Sequence, residues 1–488
     1  MTFRTLPERA RHRYGLAALS GLAGVGCFAP LELFWLAPLI WGTLFALLRL
    51  ARSMGESALT GLCFGLGFFL TGVSWVYVSL SVFGGMPWWL AGIAAFLFCT
   101  VMALFPMLAG TLFKRWQPEN FLQQALLFAV LIAAVDWIRS WIFTGFPWLT
   151  VGYSQSPPSP LAGFAPLIGV HGLSLLVALF GALLLRWRIG LALLAGVTAL
   201  GFGLRQIEWT HPVSEPVSVA LIQGNIPQEM KFRPEAFIHT LTLYRELVEQ
   251  HPAQLTLLPE TAIPAFFDQL PVGYVESLKS AAQSAGGDLI LGTLTGNGEN
   301  YWNSAISLGR SPLQTYSKTH LVPFGETIPP GFSWFMSFAS IPMSSFSRGP
   351  EQQAPLAVAG QQVAVNICYE DVFGEEIIRA LPRAGILANL SNTAWFGRSL
   401  AQPQHLQIAR MRATETGRPM LRATNTGMTA VITADGSVQA VLPPFTRGVL
   451  SAQIRAHQGM TPYALIGNNG FLALASLMLL ASLWPLRR

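Results

Sequence analysis

Eight apolar stretches punctuate this 488-residue chain, and their lengths restrict its fold more than any other feature. Seven of them, at roughly 14–30, 33–50, 58–80, 88–113, 121–143, 160–185 and 189–204, precede a polar region, and an eighth, at roughly 463–485, follows it. Crossing about 30 Å of hydrocarbon takes about 20 helical residues at ~1.5 Å each. Most of the runs reach that length; the seventh is short. The composition agrees, with 52% hydrophobic and only 11% charged residues, where a soluble domain carries about 25% charged. The expected architecture is therefore an α-helical transmembrane bundle of about eight helices joined to one polar domain, with 1–210 as the N-terminal bundle, 211–458 as the polar domain and 459–488 as a last transmembrane helix.

The net charge of +6 suggests nucleic acid until it is divided by region. Residues 205–459 hold 17 Lys/Arg against 19 Asp/Glu, a net of −2; the remainder holds 13 against 5. The excess cations sit at the ends of the apolar runs: Arg4, Arg9, Arg11 and Arg13 before the first, Arg49 and Arg52 after the second, Lys114 and Arg115 after the fourth, Arg186 and Arg188 after the sixth. The alternate loops, around 28–32, 81–87 and 144–159, contain no Lys or Arg. The positive-inside rule then places both termini in the cytoplasm and the polar domain, after seven crossings, on the outer face, the periplasm of a cell with two membranes. Nucleic acid is not an expected partner; the membrane is. A cleaved signal peptide is the rival reading of the first run, but Gly24 stands where a lipoprotein signal carries a bulky residue.

Two charges fall inside the fifth run. Asp136 and Arg139, three apart, share a helix face and suit a structural ion pair; contact of Arg139 with a lipid phosphate is the functional alternative. Trp148, in the loop that follows, suits the outer interface, where Trp sits by default.

From about 215 the pattern turns to short β-rich runs, among them Val217–Ile222, Leu255–Leu258, Leu289–Leu291, Ala305–Leu308, Val363–Ile367, Ile386–Leu390, Met420–Ala423 and Thr429–Thr433. Helical stretches fall between several of them, which predicts an α/β domain with helices covering a sheet. Three chemically capable residues end strands, where open α/β sheets collect their chemistry. They are Glu260, Lys318 and Cys368. A cysteine that attacks an acyl carbonyl needs a base or a cation beside it. No histidine lies within thirty residues of Cys368; His320 and His405 are the nearest. A carboxylate base, Glu260, with Lys318 on the developing oxyanion is the economical arrangement. On the residues alone, Cys368 suits a buried structural thiol as well, Glu260 a turn cap and Lys318 a solvated charge. Cys27, Cys63 and Cys99 lie in apolar runs, so no disulfide forms within the polar domain.

The local motifs Leu258-Pro259-Glu260-Thr261, Tyr316-Ser317-Lys318-Thr319-His320 through Glu326, and Asn366-Ile367-Cys368-Tyr369-Glu370-Asp371 resemble those of the nitrilase (carbon-nitrogen hydrolase) superfamily. With helices before and after, and with Gln223-Gly224-Asn225-Ile226-Pro227-Gln228, Ser391-Asn392-Thr393-Ala394-Trp395-Phe396-Gly397 and Arg422-Ala423-Thr424-Asn425-Thr426-Gly427, nearly the whole chain resembles the apolipoprotein N-acyltransferase family. The resemblance implies a nitrilase-like α-β-β-α sandwich and a Glu260–Lys318–Cys368 triad. It further implies an acyl transfer through a thioester on Cys368. The donor would be a phospholipid, typically phosphatidylethanolamine, and the acceptor the diacylglyceryl-cysteine amine of an apolipoprotein. Glu326 and Glu370 are implied as further carboxylates at the site, Tyr369 as a neighbour of the nucleophile, and Trp148 and Phe232 as substrate contacts, Phe232 standing where the family often carries Trp. No metal or other cofactor is expected.

Residues 329–347 carry no charge and many large apolar groups, which within a polar domain suits a surface dipping into the bilayer. Phe332, Trp334 and Phe335 are the expected lipid contacts of such a lid. Rival functions remain: a membrane-tethered amidase that uses water as acceptor, or a transporter with an accessory domain. The scarcity of intramembrane ionisable groups disfavours transport. Neither a GxSxG elbow nor an HExxH motif occurs, and no Gly-Lys dipeptide supports a phosphate loop.

Overall fold

The computed structural model describes residues 10–328, 331 and 345–484. The chain divides into two compact units. One comprises the helical segments up to Tyr77, Trp88–Ile207 and the C-terminal helix; the other comprises Val78–Pro87 and Glu208–Ala464.

In the helical unit each apolar run forms a helix: Ala10–Gly24, Ala37–Leu50, Met54–Gly72, Trp88–Trp116, Phe121–Arg139, Ala165–Leu183, Trp187–Leu204 and, after the polar region, Asn469–Leu483. Among the described residues four apolar helical stretches are long enough to cross a bilayer, Met54–Gly72, Trp88–Trp116, Phe121–Arg139 and Pro160–Leu204; Phe34–Leu50 and Asn469–Leu483 are apolar but shorter. Caps fix where helices begin. The Asn120 side chain accepts from Leu122 N at 2.8 Å, and Ser53 Oγ accepts from Glu56 N at 3.2 Å. Small residues set the packing distance, as expected where no hydrophobic drive separates helix from lipid. A Cβ on Gly67 would lie 2.0 Å from Ala18 O, and one on Gly42 2.4 Å from Gly181 O.

Among the described residues the second unit holds two six-stranded sheets and a two-stranded pair, Thr210–Pro212 with His457–Gly459. We number the strands of the two large sheets β1 (Val217–Gln223), β2 (Leu255–Leu257), β3 (Asp288–Gly296), β4 (Tyr301–Gly309), β5 (Thr315–Ser317), β6 (Leu356–Val358), β7 (Gln361–Ile367), β8 (Ile386–Ser391), β9 (Met420–Thr424), β10 (Ala430–Ile432), β11 (Val438–Val441) and β12 (Gly448–Ile454). The first sheet has the order β12-β1-β2-β3-β4-β5 and the second β11-β10-β9-β8-β7-β6. In each, the central strands run parallel (β1-β2-β3; β7-β8-β9) and the flanking pairs are antiparallel.

The inner faces meet in one core. Val219, Leu221, Leu255, Leu257 and Ile290 pack with Val363, Val365, Ile367, Ala388, Leu390 and Leu421. The outer face of the first sheet buries Leu241, Tyr244, Tyr274 and Leu278, from helices Pro234–Gln250 and Val272–Ser284. That of the second buries Leu406, Ala409 and Ala413 of helix Ala401–Thr416. The unit is therefore an α-β-β-α sandwich. Runs that are apolar on both faces, such as Leu289–Leu291 and Ala430–Ile432, follow from burial on both faces.

Candidate active site

The three strand-end residues converge. β2 ends two residues before Pro259-Glu260, β5 delivers Lys318 from a paired edge, and β7 runs directly into Cys368. Glu260, Lys318 and Cys368 are all buried. Lys318 Nζ lies 3.2 Å from Glu260 Oε1 and 2.9 Å from Glu326 Oε1. Asn303, on β4, donates from one Nδ2 to the same two oxygens, at 2.8 Å to Glu260 Oε1 and 2.9 Å to Glu326 Oε1. Glu260 Oε2 accepts from the Asn392 backbone N–H at 2.7 Å, and Glu326 Oε2 accepts from Val322 N at 2.9 Å. One ammonium thus lies between two carboxylates whose other lone pairs are filled by fixed donors. A buried ion cluster is tolerable only when satisfied in this way.

The electrostatics follow. Burial alone would raise the Glu260 pKa, but Lys318 and Lys231, with the hydrogen bonds from Asn303 and Asn392, outweigh it and leave the carboxyl below its ordinary value. Burial likewise opposes charge on Lys318, yet Glu260 and Glu326 push its pKa above the ordinary lysine value. The Cys368 thiol goes the other way. Burial first, then the neighbouring Glu260, raise its pKa far above that of a free cysteine, with Lys318 opposing. The resting site is therefore a thiol beside a carboxylate and an ammonium.

Cys368 adopts φ 55°, a strained backbone for a residue with a Cβ. It turns β7 sharply into the short helical turn Cys368–Val372. The strain is held by neighbours. Asn389 Nδ2 donates to Cys368 O at 3.0 Å, and Asn389 Oδ1 accepts from Arg422 Nη1 at 2.8 Å. Arg422 also pairs with Asp371 Oδ2 at 2.9 Å, whose other oxygen contacts His405 Nε2 at 2.7 Å. Burial, aided by Arg422, keeps the His405 pKa below the ordinary histidine value, so this histidine supports the elbow from behind as a neutral donor.

Glu370 serves the same geometry. Its Oε1 accepts from Thr319 N at 2.6 Å and His320 N at 3.0 Å, and its Oε2 from Ile367 N at 2.6 Å and the Tyr316 hydroxyl at 2.9 Å. It ties the residues after Lys318 to the residue before Cys368. Burial nevertheless pushes its pKa up to about 7 against those donors. Tyr369 is buried edge-on to Phe373 and His320.

Close backbone approach fixes Glu260 from β3. A Cβ on Gly292 would lie 2.2 Å from Pro259 O and 2.9 Å from Glu260 Cα. Gly292→Ala is expected to cost about 1–3 kcal/mol of stability, because the added methyl must push back the Pro259-Glu260 backbone. Thermal unfolding of the variant beside the wild type checks it.

The remaining expected contacts are placed differently. Arg139 is 2% exposed, and its guanidinium binds Asp136 Oδ1 at 3.0 Å and the carbonyls of Phe146 and Trp148 at 2.5 and 2.6 Å. Its donors are committed inside the protein, which corrects the lipid-phosphate reading in favour of the ion pair. Trp148 is 1% exposed and packs on Trp75 and Phe146. It braces that loop instead of facing lipid at the interface. Phe232 is 41% exposed. Phe332, Trp334 and Phe335, with most of the expected lid, lie outside the described residues. Sequence reasoning missed Asn303, Asn392, Asn389 and Lys231, the last a buried lysine whose Nζ donates to Glu260 O at 3.1 Å.

Residues 20–183 match the apolipoprotein N-acyltransferase N-terminal domain, and residues 218–460 match the carbon-nitrogen hydrolase family. A protein of Nitrosomonas europaea named apolipoprotein N-acyltransferase is 50% identical over 475 residues, which cover 94% of this chain and 95% of that one. This chain belongs to the apolipoprotein N-acyltransferase family. Proteins of the same name in Ralstonia nicotianae and Chromobacterium violaceum are 44% and 45% identical, covering 98% and 97% of this chain and 95% and 94% of theirs. Membership joins the two units under one function. The family's helical domain and its hydrolase-type domain both occur here, in one chain and in that order.

Proposed function

We propose that this protein transfers an acyl chain from a phospholipid to the N-terminal amine of a diacylglyceryl-modified apolipoprotein, through a thioester on Cys368. The observation that carries this reading is the buried Lys318 ammonium held between Glu260 and Glu326 beside a protonated, strained Cys368. Near full-length relatives named apolipoprotein N-acyltransferase supply the substrate class.

The chemistry runs as follows. The Cys368 sulfur attacks the ester carbonyl of the donor while Glu260 takes the thiol proton. Lys318 and a backbone N–H of the Cys368 turn hold the oxyanion. The proton on Glu260 passes to the departing lysophospholipid oxygen, and the carboxylate is restored. The acceptor amine then attacks the thioester, the sulfur leaves and an amide results. A buried site favours amine over water at that step. The donor is probed best with phosphatidylethanolamine. Both termini lie in the cytoplasm of the inner membrane and the sandwich on its periplasmic face, a reading supported by Arg49, Arg52, Lys114, Arg115, Arg186 and Arg188 at alternate helix ends.

The test is product analysis with chain-labelled phosphatidylethanolamine and a synthetic diacylglyceryl-lipopeptide. The reading requires labelled N-acylated lipopeptide and one lysophospholipid per transfer. Labelled free fatty acid with unmodified lipopeptide would make the protein a hydrolase instead.

A further inference from the structure

We propose that Lys231 is a second proton acceptor of the reaction, taking the proton that the acceptor's ammonium must shed before it attacks the thioester. This rests on the acyl-transfer reading above. The need comes from proton balance. An N-terminal amine arrives largely as an ammonium, with a pKa of about 7.7–8.0, and leaves as an amide N–H. Its nitrogen therefore gives up two protons, forms one N–C bond, and the C–S bond breaks with its electron pair on sulfur. Only one proton is needed to restore the Cys368 thiol. Glu260 delivers that one, from the nitrogen after attack to the departing sulfur. The other must go elsewhere, and Glu260 cannot hold both.

Lys231 is placed to receive it. It ends the short turn Gln228–Lys231 and is 4% exposed. Lys318 is bound by two carboxylates, whereas Lys231 makes a single hydrogen bond among the described residues, to the Glu260 backbone carbonyl. The rest of its amino group is uncommitted. The titratable groups that face it are Glu260 and Cys368; its sequence neighbours Glu229, Arg233 and Glu235 are exposed. Burial lowers its pKa to about 8, against the pull of those two groups. That value matches the incoming amine, so a proton moves between them with little cost. Phe232, the next residue, is exposed. After transfer, Lys231 returns its proton to solvent.

The alternative is that Lys231 merely positions Glu260 through its carbonyl. Lys231→Arg separates the two, since arginine keeps the charge and the donors but cannot take up a proton. The full-length protein would be followed through both half-reactions at pH 7.5. Acylation is read as the lysophospholipid burst from phosphatidylethanolamine, and aminolysis as loss of the acyl-enzyme on adding diacylglyceryl-lipopeptide. The ratio of aminolysis to acylation rates should fall at least tenfold in K231R, and Lys231→Met should lower it similarly. In the wild type, aminolysis should rise with pH near 8, where both the substrate amine and Lys231 lose a proton, and the rise should be shallower in K231R, where only the amine titrates. An unchanged ratio in both variants, including a parallel loss of both steps, would overturn the proposal and leave Lys231 a positioning residue. Failure of the wild type to form any acyl-enzyme would instead overturn the acyl-transfer reading itself.

Discussion

Glu260→Gln is expected to slow acylation of Cys368 by about 10³-fold, within the 10²–10⁴ that a positioned general base contributes. The amide cannot take the thiol proton, and the Cys368 pKa is raised so far by burial that solvent base cannot substitute at neutral pH. The change also misplaces donors. Glu260 Oε1 receives Asn303 and Lys318 and Oε2 receives Asn392 N, so an amide nitrogen at either position meets an N–H head-on. The pH dependence has a definite sign. The folded-state pKa of Glu260 is depressed, so its basic form is present above the ordinary carboxylate range of about 4 and is lost only as pH falls through the lower folded value. Glu260 should therefore give no step in acylation between pH 7 and pH 5, and a fall that begins near pH 7 belongs to Glu370, whose pKa burial pushes up to about 7. Stopped-time lysophospholipid release across that range measures both the variant and the profile.

Lys318→Met is expected to be nearly as damaging to activity and more damaging to stability. The Lys318 ammonium is the cation that both carboxylates, Glu260 and Glu326, share around one Asn303 amide. Removing one partner from a buried ionic cluster costs about 3–5 kcal/mol. At neutral pH the variant would hold two carboxylates with no cation between them, and one of them takes up a proton. The stability deficit should therefore shrink as pH falls from 7.5 to 5. A midpoint difference between wild type and K318M that is constant over that range would show that the carboxylates do not repel one another. Acylation should fall by at least 10³-fold at every pH, because the oxyanion loses its charged donor.

Much of this was legible in the sequence, for reasons that can be named. The strands Val363–Ile367 and Ile386–Leu390 read correctly because both their faces are buried and each run is apolar but for one asparagine, Asn366 or Asn389. The outer strands β6, β11 and β12 did not register. Val438–Val441 alternates between partly buried and exposed residues, Gly448–Ile454 buries only Leu450 and Ile454, and both sit at sheet edges, where composition is weakly constrained. Glu260, Lys318 and Cys368 were found because each ends a strand and each lies in a family-like motif. Asn303 had no such signal. It reaches the site because β4 pairs with β5 in a register that sets Ser304 opposite Ser317 and bonds Lys318 N to Asn303 O at 2.8 Å, and pairing register is a tertiary property. Lys231 was passed over for a similar reason, since a lysine in Gln228-Glu229-Met230-Lys231 reads as solvated until its burial is seen. The lipid contact considered for Arg139 fails because the loop after its helix occupies the guanidinium with the carbonyls of Phe146 and Trp148, and Trp148, in that loop, is itself buried against Trp75 and Phe146.

The central claim is that Cys368, activated by the Glu260–Lys318–Glu326 cluster, carries the acyl chain. Intact-protein mass spectrometry after incubation with phosphatidylethanolamine of one defined chain tests it most directly. The wild type should gain the mass of a single acyl group, mapped by proteolysis to Cys368, released by hydroxylamine, and lost on addition of diacylglyceryl-lipopeptide. Glu260→Gln should show almost none at matched times. An acyl adduct on another residue, or full product formation by Cys368→Ala, would contradict the account.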